Sequence, residues 1–166
     1  MSGSHTLSET ERQVATKLKG MSLDFDSMAA VSNVFRAANA TRNYFESTVL
    51  ASSGLSWTAF VVMWVSWIWE PIETREIAEE GGFSKATLTG VLQTLESRGL
   101  LERNRSAKDK RLMIVTLTPK GRNLMKKLFP EFNKHEQKVL SGLSKSEKRE
   151  LSASLRKITT FTESRS

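Results

Sequence analysis

Thirteen consecutive residues without a charge, Trp57 to Trp69 (WTAFVVMWVSWIW), hold all four tryptophans of the chain. Trp57, Phe60, Trp64 and Trp67 recur at spacings of three and four, and Val61, Met63, Val65 and Ile68 cover the remaining sides. A helix apolar on nearly every side persists in water only when most of its faces are enclosed. The run is too short for the ~20 residues that span a bilayer, so it reads as the buried central pillar of a domain. Residues 1–19 are polar and show no signal-peptide core, so a cytoplasmic protein with no membrane partner is expected.

The rest of the chain must supply what encloses that pillar. Its 166 residues amount to one domain's worth. Upstream, Ser8-Glu9-Thr10-Glu11 fits a capping box and predicts a short helix ending near Gly20. A second helix is predicted from about Ser27 to Ser52, with Met28, Val31, Phe35, Ala38, Phe45 and Val49 on one stripe. That length exceeds what a small domain needs and predicts packing against a second chain. Ser53-Gly54-Leu55-Ser56 breaks it, and Ser56 caps the pillar.

Pro71 ends the pillar at Glu70. Thr74 is placed as the cap of a short helix, Arg75–Glu80, and Gly81-Gly82-Phe83 forms a turn. Ser84 caps the next helix, which runs to about Arg98 and stops at Gly99. Helix, glycine turn, helix is the helix-turn-helix pattern. The period then changes. Residues 101–105 and 112–117 read as strands around the polar loop Ser106–Arg111, a β-hairpin that stands as a wing. Thr118-Pro119 starts a helix that Pro130 is expected to kink or split. Ser144-Lys145-Ser146-Glu147 opens a last helix, fraying from Thr162. The expected fold is mainly α with a small β-hairpin wing. It is organised as N-terminal dimerisation helices (8–52), a winged helix-turn-helix (55–118) and C-terminal dimerisation helices (119–162).

The helix after Ser84 divides into two faces. Leu88, Val91, Leu92 and Leu95 point to the pillar. Thr89, Gly90, Gln93 and Thr94, with Ser84, Lys85 and Thr87 near its start, form a small uncharged polar face. Such groups let a helix enter the major groove and bond base edges. Gly90 weakens a helix by up to ~1 kcal/mol but permits close approach. Thr74 joins this DNA-facing set from the preceding helix. In the wing, Lys108, Lys110 and Arg111 sit at the tip and Arg103 and Arg105 on the first strand. A guanidinium there suits a narrow minor groove, with Asp109 pairing Arg111 to hold it in place.

These residues resemble the MarR-type winged-helix transcriptional regulators. The likeness is carried by Thr74-Arg75-Glu76-Ile77-Ala78, Ser84-Lys85-Ala86-Thr87-Leu88-Thr89 and Leu95–Arg103. Most specific is Lys108-Asp109-Lys110-Arg111 followed by Val115–Gly121, the family's D-x-R wing and "LT-x-x-G" helix entry. Leu143–Glu147 is similar to a further family segment. The resemblance implies a cytoplasmic homodimer on a pseudo-palindromic operator in double-stranded DNA, usually a repressor, often released by a small aromatic or anionic effector. The subclass that senses oxidants through cysteine is excluded, because the chain has none.

Arg42 falls on the apolar stripe beside Tyr44 and Phe45. A ligand carboxylate or phosphate fixed by Arg42, with Phe45, Trp57, Phe60 and Trp64 as aromatic lining, is the expectation it raises; a snorkelling side chain or a dimer salt bridge is the plainer one. A winged-helix protein-interaction module is the alternative function, though it has no need of five basic wing residues. No Ser/His/Asp set, no phosphate-cradling glycine loop and no carboxylate pair point to an enzyme, and no metal or cofactor is expected. The charge distribution fits this reading. Residues 84–122 hold 9 basic and 3 acidic side chains, whereas residues 1–83 hold 6 and 10. The +7 surplus is therefore densest on the elements expected to meet phosphate.

Overall fold

The computed structural model describes residues 5–165. Seven helices run in the order α1 (Leu7–Lys17), α2 (Phe25–Ser47), α3 (Trp57–Trp69), α4 (Thr74–Gly81), α5 (Lys85–Ser97), α6 (Pro119–Val139) and α7 (Lys145–Glu163). Strands β1 (Ile72–Glu73), β2 (Leu101–Arg105) and β3 (Met113–Leu117) complete the chain. Contacts divide it between Asn43 and Tyr44, within α2, and the two parts are described separately.

In the first part, α1 starts two residues earlier than its sequence suggests. Thr6, not Ser8, is the cap: its hydroxyl accepts the Glu9 N–H and its own N–H donates to the Glu9 carboxylate at 2.7 Å. Ser8 and Glu11 have the same spacing but lie inside the helix, where Glu11 accepts a 2.9 Å hydrogen bond from Asn33 of α2. The α2 helix also begins early, because the Asp24 carboxylate accepts the Ser27 N–H at 3.0 Å. It ends at Ser47 rather than Ser52, and a 3-10 turn, Ala51–Ser53, follows.

In the second part, α3 is the pillar. Ala59, Phe60, Val62, Met63, Val65 and Ser66 are buried, and α4, α5, α6 and β3 all pack against it. The enclosure is incomplete at its last turn, where Ile68 and Trp69 are exposed. Phe132 of α6 stacks on Phe60 and on Phe45, each at 4.2 Å between ring centroids. Trp64 stacks on Phe129 at 4.4 Å. These rings grip α6 on both sides of Pro130, so the helix continues through the proline instead of splitting.

The wing belongs to a three-stranded antiparallel sheet of order β1-β3-β2, not to a hairpin alone. Ile72 pairs with Val115, and Leu101 pairs with Leu117. Strand β3 is one residue shorter than expected, since Leu112 lies in the loop. At the start of α4, Glu73 rather than Thr74 is the cap, its N–H donating to the Glu76 carboxylate at 2.9 Å. Ser84, Thr118 and Ser144 cap as expected. Helix α7 runs through Thr162 to Glu163, past the expected start of fraying, and Ser166 lies outside the described residues.

Two contacts lock α6 to the sheet. Gly121 in its first turn sits so close that a Cβ there would be 2.0 Å from the Leu100 carbonyl oxygen. Arg122 makes a two-pronged pair with Glu70 at 2.7 and 2.8 Å, and Glu70 also accepts the Leu117 N–H at 2.8 Å. Gly121→Ala should therefore destabilise the protein by about 1–3 kcal/mol through overpacking, outweighing the up to ~1 kcal/mol that Ala gains over Gly in a helix. Urea unfolding of the two proteins reads the difference; equal or higher stability of the alanine variant contradicts the close approach.

Candidate nucleic-acid interface

Helix α5 buries Leu88, Leu92 and Leu95 and leaves the polar face in solvent. Ser84, Lys85, Thr87, Thr89, Gly90, Gln93 and Thr94 are all exposed. The Thr89 hydroxyl donates to the Lys85 carbonyl at 2.8 Å and the Thr94 hydroxyl to the Gly90 carbonyl at 3.0 Å. Their protons are thus spent within the helix, and their oxygens face outward as acceptors. Ser84 and Thr87 pair at 2.9 Å, and the Ser84 hydroxyl also accepts the Thr87 N–H. Gln93 has no hydrogen-bond partner among the described residues, so its amide keeps both donor and acceptor for a base edge. A Cβ at Gly90 would meet nothing within 4 Å. The protein's own packing therefore does not demand glycine there. Thr74, at the start of α4, is half-buried.

The wing loop is built around Ser106 and Asp109. The Ser106 hydroxyl accepts the Lys108 N–H at 3.2 Å, and the Leu112 N–H closes on the Asp109 carbonyl at 3.0 Å. Asp109 receives the Arg111 N–H at 2.9 Å and its guanidinium at 3.1 and 2.8 Å. The Arg111 side chain is nonetheless 89% exposed, held in one direction but not covered. The bond from Arg111 keeps the Asp109 carboxyl below its ordinary range, and the same bond raises the Arg111 pKa. The clamp is therefore fully charged at neutral pH. Arg105, Lys108 and Lys110 are exposed and form no ion pair among the described residues.

Arg103 departs from its expected role. Its guanidinium is 26% exposed and bonds the Glu96 carboxylate through Nε, at 3.0 Å, and through Nη2. The Arg103 N–H adds a 3.3 Å bond to the same group. Arg103 is thus a brace between the last turn of α5 and β2 rather than a free cation. The brace was not evident in the sequence because it crosses from a helix end to a strand, where no fixed spacing marks a pair. The Arg103 side-chain bond holds the Glu96 carboxyl below its usual value.

The aromatic residues expected around a ligand are mostly core. Phe45 and Phe60 are 2% and 4% exposed, their faces taken by Phe132, so they are corrected to packing residues. Trp57 is half-buried and packs on Phe45, Phe60 and Phe132. Trp64 is half-buried on Phe129, with Trp67 edge-on to both. Arg42 is exposed, so it bears no burial cost that would demand an anion.

A model of the MarR family matches residues 55–113. YwaE of Bacillus subtilis, described as an uncharacterized HTH-type transcriptional regulator, is 36% identical over 155 residues, covering 92% of this chain and 91% of its own. BpsR of Bordetella bronchiseptica, whose DNA binding is regulated by 6-hydroxynicotinic acid, is 27% identical, with a TM-score of 0.72 over 78% of this chain and 98% of that one. MepR of S. aureus, solved in complex with DNA, shares the fold with a TM-score of 0.71 at 22% identity, over 78% of this chain and 96% of its own.

Replacing Glu96 by Gln should loosen the wing without unfolding the domain. The loss should be below about 1 kcal/mol, as for other partly exposed ion pairs. Because the folded Glu96 pKa is depressed, the brace contributes above the ordinary carboxylate pKa and is lost as pH falls through the lower, folded one. Hydrogen exchange at the β2 amides is the measurement. Protection unchanged by the substitution, at neutral and acid pH alike, removes the brace.

Proposed function

This chain belongs to the MarR family of winged-helix, DNA-binding transcriptional regulators, and from that premise we propose that it acts as a homodimer, placing α5 in successive major grooves and Arg111 in the adjacent minor groove of a pseudo-palindromic operator. The observation that carries this reading is the pairing of a solvent-exposed polar helix face with a guanidinium aimed by Asp109. Gln93, Thr89 and Gly90 read bases; Ser84, Lys85, Thr87, Lys108, Lys110 and Arg105 position on phosphates. Thr74 reaches the backbone from α4. Gly90 fits a surface whose close neighbour is DNA.

Dimerisation is supported by apolar side chains left in solvent within each part of the chain. Met28, Val31 and Phe35 on α2 are 39%, 57% and 67% exposed, and Leu151, Leu155, Ile158 and Phe161 repeat along α7 at 39–59%. A partner covers such stripes. Two-fold pairing then sets the half-sites about one helical turn apart, ~34 Å. Repression follows from occupancy of the operator. Release by a small aromatic or anionic effector belongs to the same reading, with Trp57 and Trp64 as the half-buried members of the expected ring set.

The test is binding to duplexes recovered from a random pool. Affinity should fall steeply between low and moderate salt, because releasing phosphate counterions gains less free energy into more concentrated salt. Arg111→Ala should weaken all sequences and lower the salt slope by ~1, whereas Gln93→Ala should relax preference at one position and cost about 1–3 kcal/mol. A salt-insensitive curve, or a monomer by light scattering at the binding concentration, overturns the reading.

A further inference from the structure

The outward face of α5 is narrower in chemistry than its polar composition suggests. Ala86, Gly90, Gln93 and Ser97 follow one another at spacings of four, three and four, so they form one stripe along the helix. All four are exposed. They lie opposite Leu88, Leu92 and Leu95, which are buried. Thr89 flanks the stripe on one side and Thr94 on the other. Lys85 precedes it at the first position of α5, and Glu96 is held by Arg103. Between Lys85 and Arg98 the chain has no cation at all.

Each base pair shows the major groove its own set of donors, acceptors and methyl groups. Guanine shows two acceptors, N7 and O6, and is matched by the paired donors of Arg or Lys. The stripe carries neither. Its hydroxyls are turned the other way. Thr89, Thr94 and Ser97 donate to the Lys85, Gly90 and Thr94 carbonyls at 2.8, 3.0 and 2.8 Å, and so present acceptors outward. A guanine set against them would face acceptor with acceptor. Gln93 keeps a donor and an acceptor side by side, the complement of adenine N7 and N6. One turn away, Ala86 offers a methyl group, and Gly90 leaves the helix bare, since a Cβ there would stand in open space. A dip beside an apolar side chain fits the thymine 5-methyl, the apolar group that a base pair shows in this groove.

We propose that α5 selects two adjoining A·T pairs in each half-site: the adenine of one is hydrogen-bonded by the Gln93 amide, and the thymine 5-methyl of the other lodges against Gly90 and Ala86. This rests on the DNA-binding reading and names what that surface selects. Gly90 then has a function that the protein's own packing does not give it. Any side chain there takes the place of the methyl, so the helix propensity lost at a mid-helix glycine is exchanged for discrimination. The wing adds to the same preference at other positions, because the narrow minor groove that suits Arg111 is itself a property of A·T tracts.

The tightest duplex recovered from a random pool by the full chain is the probe, with base analogues placed in it one position at a time. Uracil in place of thymine removes only the methyl, and at one position per half-site it should weaken binding several-fold. At the adjoining pair, 7-deazaadenine in place of adenine removes only N7 and should weaken binding about tenfold, an effect that Gln93→Ala abolishes. Gly90→Ala adds a Cβ in open space, so the variant keeps its fold and a thermal midpoint at least equal to that of the parent. It should nonetheless bind the thymine duplex several-fold more weakly and the uracil duplex as the parent does. A G·C pair recovered at the position that Gln93→Ala affects overturns the proposal. So does a uracil scan without effect, or a Gly90→Ala variant that keeps the full preference for thymine. Those results leave the DNA-binding reading standing. Recovery of no preferred sequence, with binding insensitive to salt, is a failure of that reading itself and takes the proposal with it.

Discussion

Helix α3 cannot exist in water by itself, and that constraint organises the domain. It carries no charge over 13 residues, so its stability comes from what covers it. Helices α4, α5 and α6 and strand β3 all pack against it. Burying α5 by Leu88, Leu92 and Leu95 fixes which way its polar face must look. The exposed polar face of α5 is thus the outer side of the same packing that hides the pillar. A helix that buries three leucines inward has little freedom to rotate its Gln93 and Thr89 elsewhere.

The wing is oriented by polar contacts instead. Glu96 and Arg103 join α5 to β2, and Glu70 joins the end of α3 to β3 and α6. Each of these carboxylates accepts both a guanidinium and a backbone N–H, so it fixes chain direction as well as charge. The result is a reading head in which helix and hairpin share a frame. A hairpin tip otherwise ranks among the more mobile parts of a fold, and positioning Arg111 for a narrow groove requires that its base be held.

Much of this was legible in the sequence, because the signals were local. Caps at Ser84, Thr118 and Ser144 are one-residue rules, and the leucine spacing of α5 reports its buried face directly. Errors arose where a local rule had two solutions or where the decisive partner was distant. Thr6 and Ser8 both satisfy the capping-box spacing; Thr6 takes the cap with Glu9, while the Glu11 carboxylate accepts from Asn33 of α2 instead. Pro130 is a breaker by its own chemistry, yet Phe129 and Phe132 hold both flanking turns in ring stacks contributed by other elements. A two-residue strand such as β1 has no period to read. The aromatic residues expected around a ligand had the right chemistry for a pocket, but the sequence could not say that Phe132 already fills the space.

Charge shows the same division between composition and structure. Residues 84–122 carry nine cations, which suggests a uniformly basic face. Three-dimensional pairing sorts them. Arg103 and Arg122 are neutralised by Glu96 and Glu70, Arg98 donates to the Ser53 and Gly54 carbonyls, and Lys120 donates to the Arg98 carbonyl. That leaves Lys85, Arg105, Lys108 and Lys110 without an ion pair among the described residues, and Arg111 paired with Asp109 yet 89% exposed. Only cations whose counterions leave on binding contribute to salt-dependent affinity, and a brace that is already paired releases none. The surface available to phosphate in the proposed reading is therefore smaller than the net charge implies. The cations that remain cluster around a hairpin whose base is held by the paired residues Glu96 and Arg103.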